Sequence, residues 1–249
     1  MKKFISGLFR GAPKENSDES KKKIVEDSHH YFSRLNGHGT GLGHFEEYTR
    51  DADFAKQHKV YGYQWGDPEK KEDIMPWDEY AKKVKEAYVL PYDKPNRVVL
   101  ELGPGGGRWT RYFTKSKKVI AVDYYKVILD ELRKSTDGIL ENLELVHCNG
   151  YNLEQVPDAS IDLVFTYDCF VHLEVPIVSS YVEEFYRVLK RDTNAIIHYS
   201  DNNASEDLAK HVFTENNYHT MKEVVEGCGF SIEEIFQIPH SQIMVLSKK

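Results

Sequence analysis

No apolar run in the 249 residues approaches the length needed to cross a bilayer. Cysteine is scarce. Cys148, Cys169 and Cys228 form an odd set of three, with no CxxC pair and no Cys/His spacing of a zinc site, which fits a reducing compartment such as the cytoplasm. Basic residues are not in excess: 33 Lys and Arg stand against 40 Asp and Glu, a formal charge of -7. That balance argues against broad binding to a nucleic-acid backbone, which needs a cationic surface. Apolar residues are not depleted either, because 40% hydrophobic and 29% charged is a globular balance rather than a disordered or fibrous one. The stretch from Met1 to Arg10 carries basic residues but too short an apolar segment for a signal peptide, so it reads as a frayed terminus or a short amphipathic anchor.

The residues that are present are distributed unevenly along the chain. Residues 1–96 hold equal numbers of acidic and basic groups, so the whole net charge lies in residues 97–249. Residues 11–23 are small, polar and charged, and the sequence predicts a flexible tail over 1–23. Residues 24–96 are rich in aromatics and histidine, without a period of two and without a repeat. They read as an extension with a few short helices that packs on the C-terminal part of the chain and covers it as a lid. From Arg97 the pattern turns regular. Strand-like runs at 97–102, 119–122, 143–146, 161–166 and 195–198 alternate with helical stretches at 110–117, 125–132, 178–189 and 221–228, and a close pair of strands at 231–236 and 242–246 ends the chain. The expectation is an α/β fold, doubly wound and Rossmann-like, with a seven-stranded sheet, an antiparallel last strand and a mostly helical N-terminal extension.

The first strand runs into Glu101-Leu102-Gly103-Pro104-Gly105-Gly106-Gly107-Arg108-Trp109-Thr110, a glycine turn between a strand and a helix. Asp123 ends the next strand, placed to accept both hydroxyls of a ribose. A dinucleotide fingerprint needs glycine at the sixth position from Gly103, where Arg108 stands instead. With its acid two residues before the first glycine, the segment from about Arg97 onward resembles the class I S-adenosylmethionine-dependent methyltransferases. That resemblance implies S-adenosyl-L-methionine as cofactor and S-adenosyl-L-homocysteine as product. It assigns Glu101, Gly103, Pro104, Gly105 and Gly107 to the methionine end, Asp123 to the ribose, and Asn149, Gly150 and Tyr151 to the adenine, with Tyr124 a further cofactor contact. Tyr167, after the fourth strand, completes the expected cofactor contacts. At Asn149-Gly150 the alternative is a turn supplying geometry alone.

Methyl transfer from a sulfonium needs an aligned nucleophile and, for an alcohol, a base. The candidates lie just past strands four and five. His172 has a suitable ordinary pKa and is either base or loop brace. Asp168 orients it, meets the cofactor or is a solvated acid, and Asp201 is a third catalytic candidate or a helix cap. His198 and His240, with Tyr63 and Trp65 from the extension, are expected substrate contacts. A hard divalent cation is conceivable chemistry near Asp168 and Asp201, yet no contiguous motif supports one, and no metal is assigned. The stretch from Tyr61 through His198-Tyr199-Ser200-Asp201 also resembles bacterial stand-alone methyltransferases associated with polysaccharide or glycolipid modification. It implies O-methylation of a small or glycosyl acceptor. N- or carboxyl-methylation and a non-catalytic cofactor-binding subunit are the alternatives.

Overall fold

A computed structural model describes residues 18–25, 80–201, 216–238 and 240–249. The expected substrate contacts Tyr63 and Trp65, and most of the extension at 24–96, lie outside the described residues. In chain order the principal elements are β1 (Val98–Leu102), β2 (Lys118–Asp123), α1 (Lys126–Ser135), β3 (Leu143–His147), β4 (Ile161–Thr166), α2 (Val175–Val188), β5 (Leu189–Ser200), α3 (Tyr218–Gly227), β6 (Ser231–Ile238) and β7 (Ser241–Lys248). The strand order is β3-β2-β1-β4-β5-β7-β6 in one seven-stranded sheet, and β7 is antiparallel to its partners, as expected. Among the described residues no helix is long and apolar enough to cross a membrane. The described residues group into two compact units, 80–148 with 161–167, and 18–25 with 149–160, 168–201, 216–238 and 240–249.

In the first unit β1 through β4 are parallel neighbours. β1 and β2 are continuous apolar runs because both of their faces are buried, which is the pattern of a central parallel strand. The Asp162 carboxylate accepts a hydrogen bond from the Val98 N–H at 2.8 Å and so fixes the start of β1. α1 turns Ile128, Leu129 and Leu132 inward and leaves a Lys126–Asp130 pair on its exposed side. The described end of the extension is helical, as α-helix at Ala81–Val84, π-helix at Lys85–Val89 and a 3-10 turn at Leu90–Tyr92.

The helix expected over 110–117 shrinks to a single 3-10 turn at Thr110–Tyr112. The reason is a competing acceptor. The buried Asp93 carboxylate takes the N–H groups of Lys115 (3.0 Å) and Ser116 (2.8 Å), and the Ser116 hydroxyl as well, so these donors are not available for a helical ladder.

In the second unit, α2 buries the stripe Ile177, Val178, Tyr181, Val182, Phe185 and Val188, and Phe170 stacks on Phe185 at 5.7 Å. β5 is a strand of 12 residues, much longer than the four expected, and β7 pairs with it from Thr193 opposite Lys248 to Ser200 opposite Ser241. α3 opens on an Asn217 side chain that accepts from the Thr220 N–H, and the chain leaves it through Gly229 at φ 99. Residues 18–25 are helical, and Lys21 donates to the Ser180 hydroxyl at 3.0 Å. Residues 18–23 belong to the stretch expected to be a flexible tail, and their i, i+3 and i, i+4 acid–lysine spacing suits the helix they form.

Candidate functional site

The glycine turn comes directly after β1. Gly103, Gly105 and Gly107 have φ of 69, 54 and 86, left-handed values that a side chain resists. Gly107 is constrained twice. A Cβ there would meet Leu132 Cδ1 at 2.7 Å, and the adjacent Ser135 hydroxyl donates to the Gly106 carbonyl at 3.0 Å. The C-terminal end of α1 thus braces the turn from behind, and Pro104 closes it by accepting the Gly107 N–H.

Two carboxylates sit at the carboxyl ends of β1 and β2. Glu101 is 2% exposed, and its Oε2 has no hydrogen-bond partner among the described residues. Burial pushes it up to about 8, while the Thr110 hydroxyl acts in the opposite sense. Thr110 Oγ1 and Thr166 Oγ1 are buried as well. Asp123 is 7% exposed, and burial raises it to about 7, partly offset by the backbone N–H groups of Tyr125 and Tyr124. Its Oδ1 accepts from Tyr125 N at 2.8 Å, and the Tyr124 carbonyl beside it meets His147 Nε2 at 2.8 Å. Buried acids and hydroxyls in this state suit a ligand that brings its own hydrogen-bond donors and positive charge. Tyr167 completes this unit's share. It packs edge-on against Trp109 at 5.2 Å, and the Arg108 guanidinium lies over the Trp109 ring at 4.8 Å.

The second unit carries the remaining candidates. Asn149 Oδ1 accepts from the N–H groups of Tyr151 (3.1 Å) and Asn152 (3.0 Å), so this amide oxygen builds the turn, and its Nδ2 is what remains to offer a ligand. Gly150 comes next, with φ 91. Arg187 holds the loop behind this turn by donating to the carbonyls of Leu153 and Val156 and to the Asp158 carboxylate.

Asp168 and His198 are 30 residues apart in sequence and adjacent in space. The His198 Nδ1 lies 3.1 Å from the Asp168 N–H and 3.2 Å from its Oδ1. With Nδ1 bare the ring accepts from the N–H, and with a hydrogen on Nδ1 it donates to the carboxylate. Asp168 itself has φ 57, a strained value for a non-glycine residue. His172 ends the 3-10 turn Phe170–His172 and is half-buried. That turn is anchored by Asn216, whose Nδ2 donates to the carbonyls of Phe170 and Leu173 at 3.1 Å each.

Asp201 is drawn into a different network. Its carboxylate accepts from Gln242 Nε2 at 3.0 Å, and the Gln242 carbonyl oxygen accepts from the buried Tyr199 hydroxyl. Gln242 Nε2 also reaches Gln237 Oε1 at 2.7 Å. His240, at φ 65, accepts the Asp201 N–H through its carbonyl, so its backbone ties the end of β5 to the turn before β7. Among the described residues, no group of three or more His, Cys, Asp or Glu side chains is arranged to hold a metal ion.

Sequence reasoning missed Thr110, Thr166, Asn216 and Gln242. The first stands directly after the glycine turn and had a positional signal. The others act across folds of the chain and had none.

Residues 99–192 match a family described as a methyltransferase domain. Over 97 residues the chain is 36% identical to an uncharacterized methyltransferase-like protein of Schizosaccharomyces pombe. That alignment covers 37% of this chain and 34% of the relative, so the chain spans about one third of the relative's length. Similar solved structures include a SAM-dependent methyltransferase from Aquifex aeolicus (20% identity, 68% of this chain and 88% of that one, TM-score 0.54). Another is an S-adenosylmethionine-dependent methyltransferase from Mesorhizobium loti (15%, 67% and 96%, TM-score 0.57). The [4+2]-cyclase SpnF is a third (11%, 70% and 83%, TM-score 0.59), which shows that this fold alone does not fix a reaction. The family match and the strand order agree: residues 99–192 match a methyltransferase domain, and the sheet has the fold of the S-adenosylmethionine-dependent methyltransferases that the chain is similar to.

Proposed function

We propose that the chain as a whole is a methyltransferase that modifies a hydroxyl of a sugar or other glycosyl acceptor. The observation that carries the activity is the family match over 99–192 joined to a glycine turn flanked by two desolvated carboxylates. The acceptor class rests on the resemblance of the segment through His198-Tyr199-Ser200-Asp201 to stand-alone methyltransferases of polysaccharide and glycolipid modification. When bound, the cofactor supplies a methyl group on a sulfonium, an electrophile that needs no further activation.

The chain supplies alignment and proton removal. Glu101 takes the cofactor's ammonium end and Asp123 its ribose hydroxyls. His172 removes the acceptor's hydroxyl proton onto a ring nitrogen. Asp168 and His198 act as positioning residues, fixing the backbone from which the His172 turn departs, and Asn216 holds that turn from its other side.

Incubating the purified protein with methyl-labelled cofactor and a panel of glycans, amines and carboxylates tests this reading. Label on a glycan hydroxyl, lost in His172→Ala with cofactor affinity retained, is the expected result. Label on nitrogen or carboxylate would replace the acceptor class. Tight cofactor binding without any transfer would indicate a non-catalytic subunit.

A further inference from the structure

The far end of the first unit carries a feature that methyl transfer does not use. β3 forms an edge of the sheet. Its inner flank pairs with β2, where Val119 N donates to the Asn142 carbonyl and Cys148 N to the Asp123 carbonyl. The N–H and C=O of one strand residue point to the same side, and the side alternates along the strand. Asn142, Glu144, Val146 and Cys148 therefore face β2, and Leu143 and Leu145 turn their backbone groups outward. Among the described residues no hydrogen bond takes up those outward groups. Both leucine side chains are half-exposed. β3 has no proline, no lysine and no bulge, the devices that ordinarily protect an edge.

An open cavity of about 610 Å³ borders this edge, lined by Leu143 and Leu145 together with Val98, Lys117, Lys118, Arg133, Asn142 and the acidic Glu144. It lies at the amino-terminal ends of β1, β2 and β3, the opposite end from the glycine turn and Asp123. Lys118 is paired with Glu144, while Lys117 and Arg133 are exposed and have no ion pair among the described residues. This cationic rim stands out in a segment that carries the chain's entire net charge of -7.

We propose that the β3 edge is a docking surface for a protein partner, which adds an extended acidic segment as a further strand. The partner's backbone would take up the outward groups of Leu143 and Leu145. Its apolar side chains would cover the leucines, and its carboxylates would face Lys117 and Arg133. The cavity is shallow and open, whereas small-molecule sites are concave and enclosed. A two-fold pairing of β3 with the same strand of a second copy would set one cationic rim against another. Three cations on a negatively charged segment do not make a nucleic-acid surface.

The test uses the full chain, isotope-labelled, with a short peptide alternating valine and glutamate as probe and its valine–lysine counterpart as control. The acidic peptide should slow amide exchange at Leu143 and Leu145 by about tenfold or more. Its affinity should fall about tenfold in Lys117→Glu/Arg133→Glu and in Leu145→Pro. The proline removes only an outward N–H, so β2–β3 pairing and cofactor affinity should survive. If Leu145→Pro does not fold, the charge reversal decides alone. The proposal is overturned by unchanged exchange at millimolar peptide, by equal binding of the lysine peptide, or by a folded variant that binds as tightly as the parent. Full displacement of the peptide by equimolar free glutamate or phosphate, or self-association mapping to residues 143–147, would overturn it as well.

Discussion

Replacing Glu101 by Gln should make the cofactor-free protein more stable at alkaline pH while weakening its hold on the cofactor. Burial lifts the Glu101 carboxyl from 4.5 to about 8. Between those values the folded chain keeps a proton that the unfolded chain has lost, so stability falls as pH rises through the window and the loss is complete above about 8. At about 1.4 kcal/mol for each tenfold change in proton affinity, Glu101 alone accounts for at most about 5 kcal/mol. Gln keeps the shape and never ionises, so the gap between the two proteins isolates this group; Asp123, raised to about 7 by the same cause, remains in both. Denaturant titration without cofactor at about pH 5 and about pH 8.5 should show near-equal stabilities at the lower pH and a clear advantage for Glu101→Gln at the higher. Cofactor binding reverses the preference, because a cationic ammonium favours the ionised carboxylate. Calorimetry in buffers of different ionisation enthalpy should therefore detect proton release by the parent below about pH 8 and less by the variant. A stability gap that is the same at both pH values would refute the reasoning.

Asp123→Ala removes the ribose acceptor and should weaken cofactor binding by about 1–3 kcal/mol in calorimetry; unchanged affinity in a folded variant would contradict its assignment. Gly107→Ala places a Cβ 2.7 Å from Leu132 Cδ1 at φ 86, and should lower the unfolding free energy by about 1–3 kcal/mol in denaturant titration. Gln242→Leu leaves the Asp201 carboxylate and the Tyr199 hydroxyl without their shared partner. It should destabilise by about 1–3 kcal/mol with turnover per folded molecule little changed, and a large fall in kcat at unchanged stability would return Asp201 to the chemistry.

How much the sequence disclosed depended on how locally each feature is encoded. Glu101 and Asp123 end apolar runs beside glycine or turn residues, and the run Ile161–Thr166 is a strand from first residue to last. The helix expected after the glycine turn fails because the acceptor that breaks it, Asp93, lies more than twenty residues upstream and carries no periodic signal. β5 reaches past its expected start partly because Thr193 and Asn194 are polar, and only their partners Lys248 and Ser247 across the sheet make a strand of them. The Asp168–His198 contact and the Asn216 anchor bridge 30 and 43 or more residues, distances at which spacing says nothing about proximity.

β7 lies between β5 and β6, although it comes after both in the chain. During synthesis the ribosome therefore releases β5 and β6 as strands that cannot meet, each with an unfilled flank, until β7 has emerged to bridge them. Pairing β5 to β7 also closes a loop of dozens of residues, such as Ser200 to Ser241, before any ladder energy is gained. This half of the sheet should thus form late and all at once. Interrupting translation between β6 and β7 would leave a nascent chain with two open edges, the form most exposed to aggregation and to capture by chaperones.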